Sequence, residues 1–178
     1  AARRFSSGTA SGKTEAAFLP VLTQLWENPS ASVGVLYLSP LKALINDQFE
    51  RLEGLLEEAA IPVTKWHGDA SAAAKKRVMK RPQGVIQTTP ESLESMLMHN
   101  SSGAYRLFSD LRFIIIDEMH YFMDNDRGLQ LLCLLERLAR LIGYHPRRIG
   151  LSATLGDCTS AVQWLNTDSG RDCIVPKC

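Results

Sequence analysis

At 178 residues the chain has the length of one domain, and it is 45% hydrophobic and 22% charged, the balance of an ordinary globular protein that can bury a core. A net charge of +1 excludes a strong global basic field, so any nucleic acid must be held by a local surface. No apolar run approaches the roughly 20 residues of a membrane span, and Ala1-Ala2-Arg3-Arg4 is followed by no signal-peptide core, which predicts a cytoplasmic protein without a membrane partner.

In chain order, Lys13 to about Trp26 reads as a helix stopped by Asn28-Pro29, and Val33 to Leu38 as a strand. Leu41 to about Ala60 is an amphipathic helix with Leu44, Ile45, Phe49, Leu52, Leu55 and Leu56 on one stripe. Val63 to His67 is a short strand, Ser71 to Lys80 a basic helix, Gly84 to Thr88 a strand and Glu91 to Met98 a helix. Phe113 to Ile116 is apolar throughout, as in a strand buried on both faces. Leu129 to Ile142 is a leucine-rich helix in which Cys133 reads as a buried thiol. Arg148 to Leu151 is a strand, Cys158 to Leu165 a helix, and Ile174-Val175 a final strand. Strands alternating with helices predict an α/β fold, a mostly parallel sheet sandwiched by helices. Cys158, Cys173 and Cys178 lack paired C-x-x-C spacing and read as free thiols rather than a zinc site. The basic run Lys75, Lys76, Arg77, Lys80 and Arg81 reads as a solvated helix face.

Ligands on such sheets bind beyond the carboxyl ends of the strands, where the unusual loops of this chain fall. Thr9-Ala10-Ser11-Gly12-Lys13-Thr14 opens the first helix. A helix N-terminus offers unpaired N–H groups and a positive dipole end to an anion. There Lys13 can reach the β- and γ-phosphates of a nucleotide, and the Thr14 hydroxyl can hold Mg²⁺. Ser7, beside Gly8, stands where the simplest phosphate-loop pattern has its first glycine, so the tripeptide alone also fits a small-residue cap with an ordinary lysine after it. The second signal is Asp117-Glu118-Met119-His120, at the end of the apolar strand. Buried carboxylates need a partner, and a magnesium ion is one. Asp117 would hold the metal and Glu118 would orient and deprotonate water, with His120 placed to sense the nucleotide. A polar strand end is the alternative reading of the acidic pair; phosphate loop and carboxylates together describe the two halves of a magnesium–nucleotide site.

The set of landmarks resembles the first RecA-like motor domain of superfamily 2 DEAD/DEAH-box helicases, most closely the large-helicase-related (Lhr-like) group. Gly8 to Thr14 matches motif I, with Ser7-Gly8 where the family usually has Ala-Pro; Tyr37-Leu38-Ser39-Pro40-Leu41-Lys42-Ala43-Leu44 matches motif Ia, and Ile45-Asn46-Asp47-Gln48 follows it as in the Lhr-like group. Trp66-His67-Gly68-Asp69 fits the next segment of that group, Thr89-Pro90-Glu91-Ser92-Leu93 motif Ib, Asp117 to His120 the DExH box, and Ser152-Ala153-Thr154 motif III. The resemblance implies ATP and Mg²⁺ as cofactors, with Ser7, Gly8, Thr9, Ala10, Ser11, Gly12, Lys13 and Thr14 around the nucleotide. It also implies Glu118 as catalytic base, and Ser152 and Thr154 with His120 as the coupling group. Pro40, Leu41, Lys42, Thr89 and Pro90 would lie along a single strand of DNA, favoured over RNA. Helix N-termini, where Pro and Ser/Thr are common anyway, are the other reading of those two segments.

Residues 1–178 are thus expected to be a helicase ATP-binding domain cut short at its N-terminus. The adenine-reading segment and the apolar strand before the phosphate loop are not evident in Ala1 to Ser6, and the second motor domain with its arginine finger would lie elsewhere. The expected activity is ATP-driven translocation and unwinding, with weak hydrolysis by this domain alone. A nucleotide-gated clamp without productive turnover, and an unrelated P-loop kinase, are the competing readings.

Overall fold

The computed structural model describes residues 12–57, 59–152 and 158–167, with the backbone alone described for 12–16 and 158. Five strands form one sheet: β1 (Val35–Leu38), β2 (Val63–Trp66), β3 (Val85–Thr88), β4 (Phe113–Ile116) and β5 (Arg147–Gly150). Every pairing is parallel and the order is β2-β3-β1-β4-β5. The helices are α1 (Gly12–Glu27), α2 (Lys42–Glu57), α3 (Ala72–Lys80), α4 (Pro90–His99), α5 (Ser101–Phe108), α6 (Asp126–Ile142) and α7 (Cys158–Asn166), with a 3-10 turn at Met119–Tyr121. The expected α/β architecture is present.

Alternation along the central strands splits the core in two. Val35 and Tyr37 face α1 and α2, packing with Phe18, Val21, Leu25, Leu52, Leu56, Phe113 and Ile115. Leu36 and Leu38 face the other way, with Ile86, Ile114, Ile116 and the inner sides of α4, α5, α6 and α7. Strands buried on both faces read as unbroken apolar runs, which is why β4 stands out in the sequence.

The expected elements lie within a few residues of the observed ones, and three differences have physical causes. Helix α5 reads as loop in the sequence because it opens Ser101-Ser102-Gly103, yet Asn100 Oδ1 caps the Gly103 amide at 3.0 Å and Ala104, Leu107 and Phe108 are buried. Cys133 is exposed rather than buried, because α6 turns Leu131, Leu134, Leu135, Leu138 and Ile142 inward and position 133 outward. Of the basic run, Lys76, Arg77, Lys80 and Arg81 are exposed as expected, but Lys75 is half-buried and donates to the His67 carbonyl. The segment 1–6, where a strand before the phosphate loop is not evident, and the expected strand at Ile174-Val175 lie outside the described residues.

The helix after β1 covers one face and the helix after β4 the other, while β1 and β4 are neighbours. This is a switch point, where an open parallel sheet leaves a crevice at its carboxyl edge. The loops after β1, β3, β4 and β5 all emerge on that edge, because the strands run the same way.

Candidate functional site

Helix α1 runs antiparallel to the sheet. Its far end lies at the start of β1, where a Cβ on Gly34 would come 2.7 Å from Leu25 Cδ2, and Arg147 at the start of β5 donates to Gln24. Nearer its beginning, the Phe18 ring stacks on Tyr37, the third residue of β1, with centroids 5.8 Å apart. Gly12 lies six residues earlier, about 9 Å further along the axis. The N-terminus of α1, with Gly12, Lys13 and Thr14, therefore stands at the carboxyl edge beside the switch point. Ser7, Gly8, Thr9, Ala10 and Ser11 lie outside the described residues, as do the side chains of Lys13 and Thr14.

Asp117 leaves β4 at this edge and is 5% exposed. Its Oδ2 accepts from the Tyr37 hydroxyl at 2.6 Å, and its Oδ1 from the Glu118 amide at 3.0 Å. Burial pushes the carboxyl above its usual range; the Tyr37 hydrogen bond opposes that, and the neighbouring Glu118 charge adds to it. Phe18, Tyr37 and Asp117 form a continuous line from α1 to the acidic pair. Tyr37 is a site residue that sequence reading placed in a motif without giving it a role; its signal is a hydroxyl in an otherwise apolar strand.

Glu118 takes a left-handed backbone conformation, φ 47° and ψ 48°, which a non-glycine residue adopts only when its surroundings impose it. The Met119 amide donates to the Leu151 carbonyl at 2.7 Å, fastening the turn to the end of β5. Gly150 lies against the same turn, where a Cβ would fall 2.6 Å from Met119 Sδ and the flexible Met119 side chain would have to shift. Glu118 Oε2 is buried without a hydrogen-bond partner, although His120 Nδ1 comes within 3.2 Å of it. A buried carboxylate oxygen left unsatisfied beside a second buried carboxylate is the donor set that a hard divalent cation and its water complete. His120 Nδ1 also lies 3.1 Å from Ser152 Oγ, so the DExH turn meets the loop after β5. Thr154 lies outside the described residues.

Next to this crevice is a groove of about 590 Å³, lined by Pro40, Leu41 and Lys42 after β1, Trp66 at the end of β2 with His67 and Gly68 beyond it, and Thr89, Glu91, Ser92 and Ser95 after β3. Lys75 and Arg127 complete its walls. Lys42 is exposed and pairs with Asp69 at 3.1 Å, a surface contact that an incoming phosphate can replace at little cost. Thr89 Oγ1 accepts from the Ser92 amide and caps α4, with Pro90 at the first turn; both residues are buried, so their side chains serve the helix. His67 is 4% exposed and neither ring nitrogen has a hydrogen-bond partner. Burial lowers its pKa, Asp69 opposes this, and the ammonium groups of Lys42, Lys65 and Lys75 add to it, so the imidazole is held neutral. Sequence reading places His67 in the Trp66-His67-Gly68-Asp69 segment without giving it a role, and does not single out Arg127, since one arginine in the first turn of a helix carries no periodic signal.

The family model for DEAD/DEAH box helicases matches residues 5–161. The chain is 37% identical over 186 residues to the ATP-dependent helicase Lhr-Core of Methanocaldococcus jannaschii, covering 95% of this chain and 21% of that protein. It is 33% identical to the Lhr helicase/uracil glycosylase of Escherichia coli, over 90% of this chain and 12% of that one. Among solved structures, Mycobacterium smegmatis helicase Lhr bound to ssDNA and AMP-PNP superposes with a TM-score of 0.74 at 33% identity, over 89% of this chain and 22% of that one. DUF1998 helicase MrfA bound to DNA gives 0.76 at 31%, over 89% and 23%. The chain spans about a fifth of the length of the archaeal relatives it matches. With the family model covering most of its length and the parallel sheet, switch-point carboxylates and adjoining groove in place, the chain belongs to the DEAD/DEAH box helicase family.

Proposed function

We propose that this chain is the ATP-binding and hydrolysing half of a nucleic-acid motor, and that the groove beside its nucleotide crevice tracks a single strand, of DNA in preference to RNA. The observation that carries this reading is the shared edge: the α1 N-terminus, Asp117, Glu118, His120, Ser152 and the groove all lie beyond the carboxyl ends of one parallel sheet. The relatives described as bound to ssDNA and AMP-PNP, or to DNA, support the choice of ligands.

In this reading the backbone amides of 7–14 and the Lys13 ammonium hold the β- and γ-phosphates. Thr14 and Asp117 hold Mg²⁺, which when bound neutralises charge on the transferring phosphoryl group. Tyr37 fixes the rotamer of Asp117. Glu118 orients the attacking water and takes its proton. His120 and Ser152, with Thr154, pass the state of the nucleotide to the groove, where Lys42 and the backbone around Pro40, Leu41, Thr89 and Pro90 contact phosphates without reading bases. A second RecA-like domain supplies the arginine finger and the opposing surface of the motor.

The test is ATP hydrolysis by the chain with and without a single-stranded oligonucleotide, alongside Lys13→Ala and Glu118→Gln. Slow turnover stimulated by the oligonucleotide is expected, with Lys13→Ala losing nucleotide affinity. Glu118→Gln should still bind ATP but hydrolyse it about 10²-fold more slowly or worse. Unchanged turnover in Glu118→Gln would remove the assigned chemistry, and stimulation by a small-molecule acceptor in place of nucleic acid would point to a kinase.

A further inference from the structure

We propose that Arg127 is a positioning residue: it clamps the two loops that wall the groove and ties them to the turn carrying Glu118 and His120. The proposal rests on the nucleic-acid reading of the groove. Arg127 Nε and Nη2 reach Glu91 Oε1 at 3.1 and 2.7 Å, and Nη2 also donates to the Pro40 carbonyl. The guanidinium lies over the Phe122 ring, 5.5 Å from its centroid. One planar group thus joins three segments: the loop after β1, the first turn of α4 after β3, and the residue that ends the 3-10 turn. Burial raises the Glu91 carboxyl, but its own amide, Arg127 and the Thr89 hydroxyl together hold it below the usual range, so the partner of the clamp is ionised.

The backbone under Arg127 is fixed. Asn125 Oδ1 accepts from the Gly128 amide at 3.0 Å at the start of α6. Gly128 admits the turn so closely that a Cβ there would fall 1.6 Å from the Phe122 carbonyl oxygen. Arginine suits the place because a planar fork can serve two acceptors while its face stacks on a ring, which the single ammonium of lysine cannot do. Arg127 is about one-third exposed and Glu91 more than half, so the pair adds little to global stability. Its effect falls on the separation of Pro40 and Glu91, the two walls between which a strand would lie.

A clamp and a direct phosphate contact make opposite predictions. The experiment compares wild type, Arg127→Ala, Arg127→Lys and Glu91→Gln by single-stranded oligonucleotide affinity over a salt series, hydrolysis at saturating oligonucleotide, and melting temperature. The clamp predicts that Arg127→Ala and Glu91→Gln both weaken binding, by about 10-fold, and both reduce stimulation of hydrolysis. It predicts partial recovery in Arg127→Lys, cooperative melting within about 5 °C of wild type, and an unchanged slope of log affinity against log salt. A direct contact would lower that slope by about 0.7 in Arg127→Ala, and Glu91→Gln would then bind more tightly because a negative charge has left the groove; either result overturns the clamp. Wild-type binding unaffected by all three substitutions also overturns it and leaves the groove reading standing. Failure of the wild-type chain to bind any oligonucleotide removes the groove reading and the clamp together.

Discussion

Asp117 shows what burial at the candidate site does to a carboxylate. Its pKa is raised by burial first, then by Glu118, against the Tyr37 hydrogen bond. A folded carboxyl with a raised pKa binds its proton more tightly than the unfolded one, so stability falls as pH rises through the span between the two values and stays lower at neutral pH. Asp117→Asn keeps an acceptor for the Glu118 amide and a polar partner for Tyr37 while removing the charge. The expected outcome is a higher melting temperature than wild type at pH 7, a gap that closes as pH falls below the ordinary carboxylate range, and loss of magnesium-dependent nucleotide binding. A lower melting temperature at pH 7 would show that the charge stabilises this edge. The acidic pair was legible in the sequence because four apolar residues ended on it. The Tyr37 partnership and the left-handed Glu118 were not, because each depends on which strand lies next to β4 and how closely β5 presses on the turn.

Among the elements, those with a strong period were readable and those set by caps were not. The stripe of α2 and the apolar run of β4 are fixed by their own sequences. Helix α5 depends on Asn100, whose amide caps the end of α4 by donating to Met96 and whose side chain opens α5. Asn100→Ala keeps the backbone cap of α4 and removes only the Oδ1 cap of α5, which should cost about 1 kcal/mol by denaturant unfolding; a loss below a few tenths would mean that burial of Leu107 and Phe108 holds α5 without its cap. At the start of α6 the constraint is steric. The nearest atom to a Cβ on Gly128 is backbone, which cannot rotate away, so Gly128→Ala should destabilise by about 1–3 kcal/mol and shift Phe122 with it. Gly128 is not distinguishable in the sequence from a glycine in an open turn such as Gly143, because the Phe122 carbonyl comes against it only through the folded path of the intervening turn.

Across the whole molecule, one carboxyl at each edge of the sheet is shifted in the opposite direction to the other. The carboxyl edge holds a carboxyl whose pKa is raised; the amino edge holds Asp110, whose pKa is lowered by the Arg112 hydrogen bond first and by the Ala31 amide and Ser30 hydroxyl after it, against burial. Arg112 reaches both oxygens of Asp110 at 2.8 and 3.1 Å, the Ala31 amide donates to Oδ2 at 2.8 Å, and the Asp110 amide donates to Ser32 Oγ at 2.8 Å. These bonds join the segment before β1 to the segment before β4, the two strands that flank the switch point, so they pin the end of the sheet away from the candidate site. A carboxyl with a lowered folded pKa gives stability that is present above its unfolded value and lost as pH falls through its folded value. Asp110→Ala should therefore cost about 1–2 kcal/mol at pH 7, with the difference from wild type vanishing in acid. Acidification then acts on these two carboxyls in opposite senses: it relieves Asp117 and releases Asp110. Hydrogen exchange at low pH should show protection lost first at 30–34 and 110–113, while amides around 116–119 stay protected; the reverse order would mean that the carboxyl edge, not the Asp110 network, is the weak end of the sheet.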